Sequence, residues 1–330
     1  MRELLNKLCT VRCVSGYEDG IASLIKDEIS PYTDECNCDK IGNVIAKKCG
    51  KNNEKKIVFS AHIDSHGYVV TNILKNGNLK FSALGESNPI SLAFSHVQFE
   101  TDEVYGIAVP DDKSAKDFSF AEMHIETGMN SREEAEKVYS LGDTFTAIPY
   151  IDFLGKNVTS NMLDALLPTA ILIKALSETD TPEYDTYFVF TAESLLGARG
   201  AKAAVLPIDP DVIISVATSD SEKKENANLP SVANGNGPSV LIKEKAVICD
   251  ERIISLIRKT AEKTEIKLQD EFSNISPSDL AFMQVCASGA AVGGIRIPVS
   301  YKGTAVETAS YSDAQNTLSL IKELLKTKNI

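Results

Sequence analysis

Apolar residues recur at helical spacing at the start of the chain. Leu4, Leu5 and Leu8, then Ile21, Leu24, Ile25 and Ile29, each set one apolar helix face. Two strand-like runs follow at 43–47 and 56–61, the second (KIVFSA) leading into His62-Ile63-Asp64. From 65 to about 157 the texture changes. Short alternating pieces (YVVTNI, LKFSAL, HVQFE, VYGIAV, EMHIE, TFTAIP) are separated by turn residues. One helix is predicted there, at 132–139, opened by a Ser131/Glu134 capping box. The pattern is that of a small β-rich module inserted into an α/β body.

Alternation then resumes. Helices are predicted at 162–176, 197–205, 250–264, 278–287 and 312–326, and strands at 186–192, 211–217 and 291–297. This rhythm predicts an α/β fold, a mostly parallel sheet with helices on both faces, built from 1–64 and 158–330. The polar run 219–228 reads as an exposed loop, and Gly235-Asn236-Gly237-Pro238 as a turn. Ligands of such sheets bind at the carboxyl ends of strands, which draws attention to the segments following each one.

Charge and cysteine content narrow the function classes. The net charge of -12 argues against nucleic acid and anionic membrane as partners. No apolar run reaches the length of a membrane span, and the N-terminus lacks a signal-peptide pattern. Seven cysteines without metal-type spacing fit a reducing cytoplasm, and Cys36 and Cys38, one residue apart, read as packing or surface positions.

The runs SGYED (15–19), DKIGNVIAKK (39–48), AHIDSHGYVV (61–70), SREEAEKVYSLGD (131–143), NMLDALLPTAILIKAL (161–176), FVFTAESLLGARGAKAA (188–204) and GIRIPVSYKGTAVE (294–307) occur in that order. Together they resemble the glutamyl-aminopeptidase family of dinuclear zinc exopeptidases, which includes the tetrahedral and deblocking aminopeptidases and proteins once labelled endoglucanases. The resemblance implies a zinc-exopeptidase-like body, with 65–157 as a dimerisation domain that builds homo-oligomers. It also implies two zinc (or cobalt) ions clamping a water and the scissile carbonyl.

Carried over by residue, the resemblance places a zinc ligand on His62, its orienting carboxylate on Asp64 and the bridging carboxylate on Asp164. The general-base position falls on Ser194. The remaining ligand positions fall on Leu195, Ser215 and Gly303, none of which offers a carboxylate or imidazole. Glu193 and Asp220 are the candidate substitutes. His66, His96 and His124 stand outside the pattern, and His96, after SLAF, reads as packed or hydrogen-bonded.

Two expectations follow. In the first, the protein is a non-catalytic homologue that binds no metal pair and at most one weakly held divalent ion. It keeps the old cleft for a peptide or N-terminal residue, and its oligomer surface for itself or for an active relative. In the second, it is a cytosolic metallo-aminopeptidase with a site rebuilt around His62, Asp164 and Glu193 or Asp220.

Overall fold

The second half of the Asn52–His62 strand is buried on both faces, from Ile57 to Ala61, and that places it at the centre of a sheet. The structure is a computed structural model describing every residue except 86, 101–103, 115–116, 222–230, 274–277 and 329. Tyr184–Thr191 lies parallel on one side of the central strand, with Thr191 opposite His62. Val212–Asp220 lies parallel on the other, with Ser215 opposite Ser60, and Ala291–Ser300 runs parallel beyond it. The carboxyl halves of the central strand and of Val212–Asp220 line one cleft, with Arg296 of Ala291–Ser300 on the same wall.

The flanks are antiparallel. Val44–Lys48 and Glu35–Cys38 extend one side. On the other, Ala291–Ser300 pairs with Ser239–Glu244 along its middle and with Glu307–Ser310 at its end. Asn157–Ser160 and Ile151–Leu154 complete that edge. The sheet is therefore mixed rather than mostly parallel. Strands joined by a tight link, such as Leu154 to Asn157 across Gly155 (φ +62°), can only pair antiparallel, whereas the parallel centre needs long crossovers.

The inserted module is a closed six-stranded barrel running from Gly67–Ile73 to Thr144–Ala147, with its own core around Tyr68, Phe81, Phe99, Ile125 and Phe145. Rings of Tyr68 and Phe81 each lie 5.3 Å from that of Phe145. The barrel stops at Ala147, ten residues short of the sequence expectation, because Ile151–Leu154 belongs to the large sheet. That strand's alternating half-buried pattern is indistinguishable from a barrel strand until Phe153 is seen packed on Tyr311. The insert's helix is a single turn, Arg132–Ala135. Ser131 caps it by accepting from the Glu134 backbone, but the Glu134 carboxylate takes the Asn130 N–H, so the capping box is only half formed.

Leu163–Ser177 is buried almost along its length and packs across the central strands. Its first turn brings Asp164 to the cleft. The 235–238 turn is tied down where Gly235 and Gly237 donate to the Asp313 carboxylate at 2.7 and 3.0 Å. Of the run 219–228, residues 219 and 220 end a strand, Ser221 follows it, and 222–228 lie outside the described residues. No described helix is long and apolar enough to cross a membrane.

Candidate functional site

His62 closes the central strand, and its Nδ1 donates to the Asp64 carbonyl at 3.1 Å. The ring also lies 3.4 Å from Asp64 Oδ1, and its Nε2 lies 3.9 Å from Asp164 Oδ1. Asp64 is fully buried, and its Oδ2 accepts from Ser15 Oγ at 2.7 Å and Leu195 N at 2.8 Å. Burial disfavours the His62 imidazolium, but the Asp164 and Asp64 carboxylates outweigh it and hold its pKa well above the ordinary value. The imidazole thus lies between two carboxylates that favour its protonated form.

Asp164 already has a cation of its own. Lys302 Nζ lies 2.9 Å from its Oδ1, Thr218 Oγ1 donates to the same oxygen, and Lys302 also donates to the Thr218 carbonyl at 3.3 Å. Burial pushes the Asp164 pKa up, yet Lys302, His62 and Thr218 together bring it well below the usual carboxylate range. Behind it, Glu307 accepts from Asp164 N and Gly303 N, each at 2.8 Å. Burial first, then the Asp164 charge, pushes the Glu307 pKa up to about 7.

The loop after Tyr184–Thr191 carries the positions matched to the general base and a zinc ligand. Asn43, fully buried, fastens that loop by accepting from Ala192 N at 2.9 Å and donating to Gly200 O at 3.1 Å. Ser194 Oγ donates to Asp279 Oδ1 at 2.8 Å, and Thr191 Oγ1 donates to the other carboxylate oxygen. Ser194 and Leu195 face a cavity of about 480 Å³ shared with His62, Asp164, Ser215 and Asp220. Glu193 does not line it. Its backbone adopts φ +52°, and its N–H donates to Glu18 at 2.8 Å. Gly303 is likewise off the cavity wall and has φ +74°.

These residues do not fit a metal pair. His62 and Asp164 are two donors where a catalytic zinc takes three. An ammonium holds the carboxylate that would bridge. Among the described residues, no cluster of three or more His, Cys, Asp or Glu side chains is arranged to hold an ion. The other histidines add none. His66 is half-buried and does not line the cavity, His96 is exposed rather than packed, and His124 pairs with Asp111 at 2.6 Å on the barrel. Cys36 is partly buried and Cys38 exposed, and both are free thiols.

Sequence reasoning missed Lys302, Thr218, Asp279, Glu307 and Arg296. One signal was available. Arg296 interrupts a run (VGGIRIPV) that otherwise reads as a strand buried on both faces, where a charge must find a partner.

Glu18 supplies a test of the site's foundations. Only 4% exposed, it accepts from Gly16 N and Glu193 N through one oxygen, at 2.9 and 2.8 Å. Burial pushes its pKa up to about 7 against backbone hydrogen bonds that lower it. A carboxyl whose folded pKa is raised binds more protons folded than unfolded. Its contribution is full below about 4.5 and is lost as pH rises through about 7, a change of roughly 3 kcal/mol at most. Glu18→Gln keeps the acceptor oxygen and removes the titration. Urea unfolding at pH 5 and pH 8 is expected to show the variant losing less stability across that interval than wild type. Equal losses would remove Glu18 as the cause.

A model of the M42 glutamyl aminopeptidase family matches residues 42–320. A protein from Acetivibrio thermocellus is 35% identical over 327 residues, covering 98% of each chain. The lysyl aminopeptidase of Pyrococcus furiosus is 30% identical over 338 residues, covering 98% of this chain and 96% of that protein. Among solved structures, the TET1 peptidase of Pyrococcus horikoshii superposes with a TM-score of 0.87 at 25% identity, covering 98% of this chain and 99% of that one. It is described as assembling into a tetrahedron or a large octahedral shell.

Proposed function

Because this chain belongs to the M42 glutamyl aminopeptidase family, we propose that it is a non-catalytic member: the α/β body and cleft are kept to hold a peptide end or small ligand, and the barrel to form homo-oligomers or to assemble with an active relative. One observation carries this reading. The Lys302 ammonium sits 2.9 Å from Asp164, where the family resemblance calls for a metal-bridging carboxylate.

Bound metals would polarise a carbonyl and lower the pKa of a water. An ammonium anchored between Asp164 and the Thr218 carbonyl can neutralise and orient an anion, but it offers no open coordination position to a water. Ser194, fixed to Asp279, is no substitute for a carboxylate base at its position. His62 is flanked by the Asp64 and Asp164 carboxylates, which favour its protonated form. What remains chemically is a walled, polar cleft lined by both carboxylates and cations and suited to binding.

Asp220, on the same cavity wall as His62 and Asp164, favours the second reading of a rebuilt hydrolytic site in the cytosol. One experiment separates the two. Protein purified without added metal is analysed for bound metal and assayed on aminoacyl substrates with zinc and with cobalt. The expected result is substoichiometric metal and no release of N-terminal residues. Two metal equivalents per chain, or turnover at ordinary enzyme rates of about 1 s⁻¹ or more, would sink the non-catalytic reading.

A further inference from the structure

Arg296 lies in the middle of the sheet, 4% exposed, on the wall of the cleft. Gly294, two residues earlier on the same face, makes room for it. A Cβ there would stand 3.1 Å from Nη1 and 2.9 Å from Leu241 Cβ. The guanidinium can therefore fold back along the sheet, where Nη1 donates to Ser215 O at 3.0 Å and Ser215 Oγ at 3.3 Å. Ser60, Ser215 and Gly294 stand in one register row, and the Arg296 guanidinium folds back onto that row at the cavity wall.

Two atoms in that row are buried without a hydrogen-bond partner among the described residues: Arg296 Nη2 and Ser60 Oγ. Glu244 Oε2 lies 3.7 Å from Nη2, too far for a hydrogen bond, and Glu244 Oε1 already accepts from Ser278 N and Oγ. Glu271 accepts from Ser239 Oγ at 2.6 Å, and burial pushes its pKa up and weakens its charge. A guanidinium has only donors, and a buried charged donor left unmade is among the costlier defects a fold can carry. It calls for an acceptor, and the cavity it borders also holds the Lys302 ammonium, paired with Asp164 at 2.9 Å.

We propose that this cleft binds a small oxyanion, a carboxylate or a phosphate, through Arg296 Nη2 and the Ser60 hydroxyl. The volume of about 480 Å³ suits a ligand of metabolite size. The planar guanidinium suits two-point recognition of either anion. This assignment rests on the reading that cations of the protein, not metals, occupy the cleft.

The test is calorimetry on protein freed of metal by chelation and dialysis. It is titrated with succinate, with inorganic phosphate, and with uncharged succinamide. Succinate, phosphate or both are expected to bind at millimolar concentration or better, and which of them binds identifies the anion. Succinamide is expected not to bind. Arg296→Gln is expected to weaken binding by about tenfold to a hundredfold, the worth of a charge-assisted hydrogen bond. Since that change leaves Glu244 without its cation, Ser60→Ala serves as the second variant, with an expected loss of about fivefold for a neutral hydrogen bond. The proposal is overturned if neither anion binds, if succinamide binds as well, or if a folded Arg296→Gln and Ser60→Ala both bind as wild type. The metal analysis above is read separately, so a metal-loaded active enzyme and a failed anion titration are different results.

Discussion

Leu195→Glu and Lys302→Met together are expected to create a zinc site that neither change creates alone. The first adds a third donor at a position that faces the cavity with His62 and Asp164. Three protein ligands is the smallest set that holds a catalytic zinc. The second removes the ammonium now 2.9 Å from Asp164. A dication and an ammonium about 4 Å apart repel by roughly 8 kcal/mol at an effective dielectric constant near 20. The Lys302 side chain is 31% exposed and can swing towards water, which lowers the penalty. A difference of at least about a hundredfold in zinc affinity between Leu195→Glu with and without Lys302→Met is the expected outcome, about 2.7 kcal/mol of coupling in the double-mutant cycle. Calorimetry measures it directly. Additive effects would mean that Lys302 is not the competitor, and the argument for a metal-excluding cleft would lose its centre. A His at 303, the other lost ligand position, is less useful. Gly303 sits in open space but at φ +74°, where any side chain meets backbone strain.

Gly200→Ala is expected to be among the most damaging single methyl additions to this fold. A Cβ there would stand 2.2 Å from Asn43 Oδ1 and 2.4 Å from the Ala192 carbonyl oxygen. Neither can move cheaply. Asn43 is fully buried and holds Ala192 N and Gly200 O at once, while also donating to Asp39 at 2.6 Å. Overpacking of this kind costs about 1–3 kcal/mol and breaking the attached hydrogen bonds about as much again, so a loss of roughly 3–5 kcal/mol is expected from urea unfolding. Gly197→Ala is the control. It meets nothing within 4 Å and differs only in its φ of +92°, for which about 1 kcal/mol suffices. Equal losses in the two variants would show that the loop yields, and that Asn43 does not fix where Ser194 and Leu195 lie.

The long apolar-periodic segments were readable because their pattern and their burial have the same cause. Leu163–Ser177 and Ala291–Ser300 differ from the sequence reading only at their ends. The antiparallel edge strands were not readable as parts of the large sheet. Four residues such as Ile151–Leu154 carry the same alternation wherever they pair. For the site, sequence could show which donors are absent at Ser194, Leu195, Ser215 and Gly303. It could not show what fills their place. Lys302 reads as an ordinary surface charge until the end of Ala291–Ser300 delivers it to Asp164, a residue 138 positions away in the chain.

The central strand also sets an order of events during synthesis. Asn52–His62 leaves the ribosome about 120 residues before its nearest parallel partner, Tyr184–Thr191, exists to pair with it. At about 5–20 residues per second, that interval is on the order of ten seconds. The barrel, whose strands pair only among themselves between Gly67 and Ala147, can close within it. The central strand of the large sheet, with its buried half Ile57–Ala61, must therefore wait, unpaired on both edges, beside an already folded module. A nascent chain arrested near residue 180 should present a protease-resistant barrel preceded by a segment that chaperones bind.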